Sequence, residues 1–155
     1  MRGVVNSILI DTNVLIRGMS ATMAQHHEAK TAIDHLQSRG WETAIVPQVL
    51  YEFWSVATRP VEANGLGFDQ KQAWTDLQWL RTHHTFYAEN ATLYPLWETL
   101  IHSIPVSGKN AHDARLVAAM QLHHIEHILT FNVQDFRRYS NIAVLNPSRI
   151  TTIVP

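Results

Sequence analysis

The chain has 155 residues, enough to bury a core without covalent staples, and a composition of 46% apolar and 16% charged residues excludes a disordered or low-complexity protein. It contains no cysteine, which removes disulfides, thiolate zinc sites and cysteine nucleophiles and fits a reducing, cytoplasmic setting. A net charge of −1 excludes nucleic-acid binding by bulk charge, yet nine of the twelve cations are Arg, so a local phosphate-gripping patch stays open.

The first predicted element is a buried strand over residues 8–11, where Ile8, Leu9 and Ile10 run into the polar triplet Asp11-Thr12-Asn13. A short apolar segment leads from it into a helix over 26–38, stopped near Gly40. "WETAIVP" is a short strand closed by Pro47, a residue well placed to start the helix "QVLYEFWSVAT". After the Pro- and Gly-punctuated loop "RPVEANGLG" comes the helix "FDQKQAWTDLQWLRTHH", with Asp69 as its N-cap. A strand "TFYAE", a helix "TLYPLWETLIHS" and a loop over 105–109 follow. The clearest helix, "AHDARLVAAMQLHH", leads into strand "EHILTF", a turn with "DFRRY", and a last strand "IAVLNP". No internal repeat or linker interrupts the pattern, so a single domain over 1–155 is expected. No apolar run approaches the roughly 18 residues of a membrane span, and the start lacks a signal-peptide pattern. The expectation is a cytoplasmic α/β protein with a mostly parallel sheet covered on both faces.

In such folds ligands sit beyond the carboxyl ends of the strands, where Asp11 and the "FNVQD" segment fall. Asp11 alone reads equally as a helix cap or as a functional carboxylate. Val49, Glu52, Phe53 and Val56 stand at i, i+3, i+4 and i+7, which places Glu52 on an apolar stripe. A rim position with a snorkelling stem is the alternative for Glu52. Asp113, Leu116, Val117 and Met120 repeat the arrangement, although capping alone would explain an acid in a first turn. Taken together, three such carboxylates at one sheet edge would repel each other unless a cation joined them. All-oxygen ligation points to Mg²⁺ or Mn²⁺, with Asn132 or Asp135 as a fourth donor.

The pieces "ILIDTNVLI", "VPQVLYEFWSVATRP", "NGLGF", "SGKNAHDARLVAAM", "HILTFNVQDFRRY" and "IAVLNP", in this order, resemble the PIN-domain ribonucleases, especially VapC-like toxins of the VapBC toxin–antitoxin type. The resemblance implies a three-layer α/β/α sandwich in which Asp11, Glu52 and Asp113 are the central metal-site acids. Many family members carry Asp where this chain has Asn132, which lowers the charge of the site and leaves one or two metals open. Asp135 then stands as a further catalytic and metal candidate. Thr12 and Asn13 match a polar pair that orients the first acid, and His112 stands beside Asp113 as an outer partner. The implied chemistry is metal-assisted hydrolysis of an RNA phosphodiester, leaving 5′-phosphate and 3′-hydroxyl ends. Arg17, Arg59, Lys109, Arg115 and Arg137 are the cations nearest these motifs, as weak candidates for RNA contact. The implied partners are RNA, a small antitoxin protein and a second copy of the chain.

Two other features invite ligand or partner roles. His123 and His127 stand at i and i+4, but their segment crosses from helix to strand, which breaks a shared face. Trp79 falls opposite the stripe of Ala73, Leu77 and Leu80, beside Gln72, Asp76 and His83, with Trp74 flanking the stripe. An aromatic on that polar face points to a partner or an overlying loop. Rival classes fare worse. A haloacid-dehalogenase phosphatase needs an acid at position 13, which is Asn, and a receiver domain needs a Lys beyond Lys109. A non-catalytic PIN-like binding module and a housekeeping RNA-processing nuclease remain as alternatives.

Overall fold

The computed structural model describes residues 4–155. Its centre is a five-stranded, wholly parallel sheet in the order β3-β2-β1-β4-β5, built from β1 (Ser7–Ile10), β2 (Glu42–Ile45), β3 (Thr85–Phe86), β4 (His127–Leu129) and β5 (Ala143–Leu145). The middle strand is β1, and its Ile8, Leu9 and Ile10 are fully buried, as a strand covered on both faces requires. Leu9 pairs with Ala44 on one side and Ile128 on the other.

Among the described residues seven α-helices connect the strands, α1 (Thr12–Met19), α2 (His26–Ser38), α3 (Pro47–Thr58), α4 (Gln70–His83), α5 (Leu93–Ser103), α6 (Asn110–Leu122) and α7 (Val133–Phe136), and α8 (Ile150–Ile153) follows β5. From β1 to β3 the chain steps outward in one direction, then crosses back to β4 and continues to β5 on the other side. Parallel crossovers are right-handed, so this reversal places α1 to α4 on one face and α5 with α6 on the other. Helix α1 packs on α2 and α3, α3 on α4, and α5 chiefly on α6. The result is a three-layer α/β/α sandwich with its topological switch point between β1 and β4. No helix among the described residues is long and apolar enough to cross a membrane.

Several boundaries differ from the sequence expectation for local reasons. Thr12–Met19 is a helix rather than a bare apolar segment, because Asp11 caps it. The strand expected over "TFYAE" keeps two residues plus one further bond, Tyr87 N–H to Ile45 O at 2.9 Å, since an edge strand has one neighbour only. "VQDF" forms one helical turn, and Pro147, expected at the end of the last strand, instead opens a 3-10 turn that leads through Arg149 into α8. Asp69 caps α4 as expected, accepting the Gln72 N–H at 2.8 Å. On that helix Trp74 is exposed instead of flanking the core. Trp79, Gln72 and His83 are exposed, with Trp79 stacked on His83 at 3.9 Å, whereas Asp76 of the same face is buried and accepts from Gln72. His123 is the C-cap just past α6 and His127 begins β4, with His124 between them at a φ of 56°. The His pair therefore shares no helical face.

Candidate active site

Asp11 leaves β1 at the switch point, where its backbone N–H still bonds to Leu129 O of β4 at 3.0 Å. Its Oδ1 accepts the Thr12 N–H at 2.8 Å, and its Oδ2 accepts the Thr130 hydroxyl at 2.8 Å and Asn13 Nδ2 at 3.0 Å. Asn13 also reaches Thr130 Oγ1 at 3.1 Å and accepts the Phe131 N–H at 3.0 Å, so it ties α1 to the end of β4. The Asn132 N–H donates to the same Thr130 hydroxyl at 3.0 Å. Asp11 is thus fixed from two adjacent strands before any ligand arrives.

Glu52 arrives from α3, whose first turn begins at Pro47 just past the carboxyl end of β2. Its Oε2 accepts the Thr12 hydroxyl at 2.6 Å and its Oε1 accepts Gln48 Nε2 at 2.9 Å. The Thr12 side chain therefore orients the second acid, and only its backbone N–H serves the first. Gln48 Nε2 also donates to His112 O at 2.9 Å, which holds the start of α6 against α3. Asp113 lies in that first turn of α6, where free N–H groups favour a carboxylate.

These side chains feel one another. Burial pushes the Asp11 carboxyl up to about 6, and the charges of Glu52 and Asp113 add to the rise against the hydrogen bonds from Thr130 and Thr12. Asp113 is also pushed up to about 6, by burial first and then by Asp135 and Glu52, while Lys109 and Arg138 pull it down. Asp135, in the single turn of α7, is therefore the fourth acid of the cluster. Asn132 stands exposed at the start of that turn.

No three His, Asp or Glu side chains among the described residues converge closely enough to hold an ion as they stand. Glu52 and Asp113 act on Asp11, and Glu52 and Asp135 on Asp113, through their charges rather than by contact. No ion pair neutralises them either, since the pairs among the described residues are Lys30–Asp34 and Arg115–Glu89. Carboxylates crowded enough to hold Asp11 and Asp113 above their usual range match a hard divalent cation in charge and chemistry, though not as a ready-made cage.

The five weak RNA candidates separate by position. Lys109 and Arg137 line one cleft beside Asp135, and both are exposed. Arg115 donates to both Glu89 oxygens, at 2.7 and 2.8 Å, and to Gln48, which engages it structurally. Arg17 bonds to Asn13 O and lies over the Phe131 ring at 5.0 Å. Arg59 is not brought to the acids. It follows the far end of α3, seven residues and about 10 Å of helix beyond Glu52, and bonds to Ser55. His112 is exposed on the rim, between the acid pocket and the cleft holding Tyr94 and Trp97.

Thr130 and Gln48 escape sequence reasoning, although each left a signal. Thr130 is a hydroxyl directly after the buried Ile128 and Leu129 of β4, and Gln48 stands one helical turn before Glu52.

A family model described as the PIN domain matches residues 8–142. No curated protein matches the chain. Among solved structures, the chain is similar to a toxin–antitoxin complex from Klebsiella pneumoniae, with 21% identity, TM-score 0.63, and coverage of 90% of this chain and 97% of that one. VapBC2 from Rickettsia felis, bound to a DNA fragment from its promoter, shares 14% identity at TM-score 0.69 over 90% of this chain and 98% of that one. VapC20 of Mycobacterium tuberculosis, a sarcin–ricin loop cleaving toxin, shares 20% identity at TM-score 0.54 over 78% and 86%. With the parallel sheet, the acids at its switch point and the match along residues 8–142, the chain belongs to the PIN-domain family.

Proposed function

We propose that the chain is a Mg²⁺- or Mn²⁺-dependent endoribonuclease and the toxin of a toxin–antitoxin pair. The observation that carries this function is the gathering of Asp11, Glu52, Asp113 and Asp135 at the switch point, coupled in charge and without a neutralising ion pair. Asp11, Glu52, Asp113 and Asp135 would hold the ion, with Asn132 at the rim. When bound, it supplies charge neutralisation at the phosphodiester and a more acidic water. The protein's share is preorganisation. Thr130, Asn13 and the Thr12 N–H hold Asp11 in one orientation, while Gln48 and the Thr12 hydroxyl hold Glu52. Lys109 and Arg138 temper the repulsion at Asp113 without pairing with it. The similarity to toxin–antitoxin complexes and to a toxin that cleaves the sarcin–ricin loop supports RNA as substrate and a small antitoxin as partner.

Asp113→Asn is the cleanest test, because no donor constrains either oxygen among the described residues. Asp11→Asn is less clean. Both of its oxygens accept, so an amide nitrogen would face a donor at a cost of about 1–3 kcal/mol. Cleavage of RNA by Asp113→Asn in Mn²⁺ should fall on the order of 100-fold or more. Millimolar Mn²⁺ should raise the Tm of the wild-type protein but not of this variant. Wild-type cleavage by purified Asp113→Asn would refute the mechanism.

A further inference from the structure

A cleft of about 710 Å³ opens from the edge of the acid site, where Asn132 and Asp135 line it, and extends away from Asp11 and Glu52. Its cations come from three separate elements: Lys109 before α6, Arg137 after α7, and Arg149 in the 3-10 turn before α8. All three are exposed, and none belongs to an ion pair among the described residues. Isolated surface cations are ordinarily just solvated. Here three converge in a chain whose net charge is −1, which makes the cleft a local cationic surface.

Its walls are built rather than incidental. Asn146 Oδ1 accepts the Ser148 N–H at 2.9 Å and Asn146 O accepts the Arg149 N–H at 3.0 Å, which fixes the turn carrying Arg149. Ile150 anchors that turn in the core. Phe131 contributes an apolar wall and is backed by the Arg17 guanidinium. Residues 143–155, which carry Arg149, lie outside the stretch matched by the family model.

The cleft runs from these cations to Asp135, whose charge reaches Asp113. A ligand fitting both ends carries regularly spaced negative charge along the cations and one reacting link at the acids. An acidic peptide would gain at the first end but has no use for the second. Resting on the ribonuclease function proposed above, we propose that this cleft holds the sugar–phosphate backbone of the RNA flanking the scissile bond. Lys109, Arg137 and Arg149 are its phosphate contacts.

Metal-free binding of a short, mixed-sequence single-stranded RNA separates this assignment from catalysis. Fluorescence anisotropy over a salt series reads how many phosphates the protein neutralises. Removing one phosphate-binding cation should lower the slope of log Kobs against log salt by about 0.7 for a single strand. Arg149→Ala should lower it by that amount, and the Lys109→Ala, Arg137→Ala, Arg149→Ala triple variant by about 2, with affinity falling roughly tenfold or more. Arg149→Lys should restore the slope, which a merely structural role would not predict. All three side chains are exposed, so wild-type Tm values serve as the folding control.

An unchanged slope in the triple variant overturns the assignment. If wild type cleaves RNA while that slope stays unchanged, the cleft fails and the ribonuclease stands. If the slope falls but wild type never cleaves RNA, the cleft binds RNA and the ribonuclease function fails. A triple variant that binds RNA normally but escapes inhibition by a partner protein would make this a protein-docking surface and overturn the RNA assignment.

Discussion

Asp11 caps α1 and faces Glu52 and Asp113 with the same carboxylate. A cap needs an oxygen that accepts, and a cation site needs an oxygen with a lone pair to spare. Oδ1 accepts one hydrogen bond and so keeps that capacity, whereas Oδ2 is committed to Thr130 and Asn13. His84 shows the opposite use of burial. Its Nδ1 meets the Thr43 hydroxyl at 2.7 Å, and its Nε2 is buried without a partner among the described residues. Burial first, and then the charge of His83, push it down to about 4 from an ordinary 6.5. Facing groups include the Lys30–Asp34 pair across a small cavity with Trp79. The unfolded chain takes up this proton near pH 6.5 and the folded chain only near 4, so stability is lost as pH falls through that window. The loss is on the order of 3 kcal/mol when complete. Asp11 and Asp113 act with the opposite sign, since raised carboxyls become less costly as pH falls from about 6 toward 3.8. The His84 contribution is therefore read as a difference against His84→Gln. Denaturant unfolding at about pH 7 and near 4.5 should show wild type losing more stability than the variant. Parallel losses would mean that His84 is not held neutral by the fold.

At the scale of elements, legibility in the sequence follows length and period. α2, α4 and α6 span three turns or more and are long enough to read, although α6 is buried nearly all round from Leu116 to Met120, whereas α7 and α8 have four residues each and no period to read. The three acids were legible because each sits at the end of a strand or at the top of a helical stripe. Their supports were not, because Thr130 and Gln48 act through hydrogen bonds that join residues far apart in sequence. Trp74 and Asp76 show the limit of the stripe itself: the buried face of α4 is rotated from the one that the apolar residues mark. The joint between β1, α1 and β4 depends on one hydroxyl. Thr130 donates to Asp11 and accepts from Asn13 and from the Asn132 N–H. Thr130→Val keeps the shape and strands those groups, so stability should fall by about 1–3 kcal/mol in denaturant unfolding, and RNA cleavage should fall with it. Thr130→Ser should recover most of both. Equal behaviour of Val and Ser would show that packing rather than the hydroxyl orients Asp11.

Across the whole molecule, the strand order β3-β2-β1-β4-β5 sets the charges apart along one edge. β1 and β4 deliver Asp11 and the Thr130–Asp135 segment side by side, and the helices that cross on either face bring Glu52 and Asp113 to them. The cluster lacks an ion-paired cation among the described residues, and its acids lose stability to mutual repulsion and burial at neutral pH. Two classes of ligand relieve that cost: a divalent cation, or a guanidinium or ammonium presented by a partner protein. An antitoxin acting in the second way must exclude the first. Raising Mn²⁺ should therefore weaken inhibition of RNA cleavage by the partner, with apparent inhibitor affinity falling as metal concentration rises. Asp113→Asn should bind the partner more weakly than wild type does, because one carboxylate facing the inserted cation is gone. A homodimer is expected as well, with a sedimenting mass near twice 17.7 kDa. Inhibition independent of Mn²⁺, with Asp113→Asn binding the partner as tightly as wild type, would place the partner's contact outside the acid pocket.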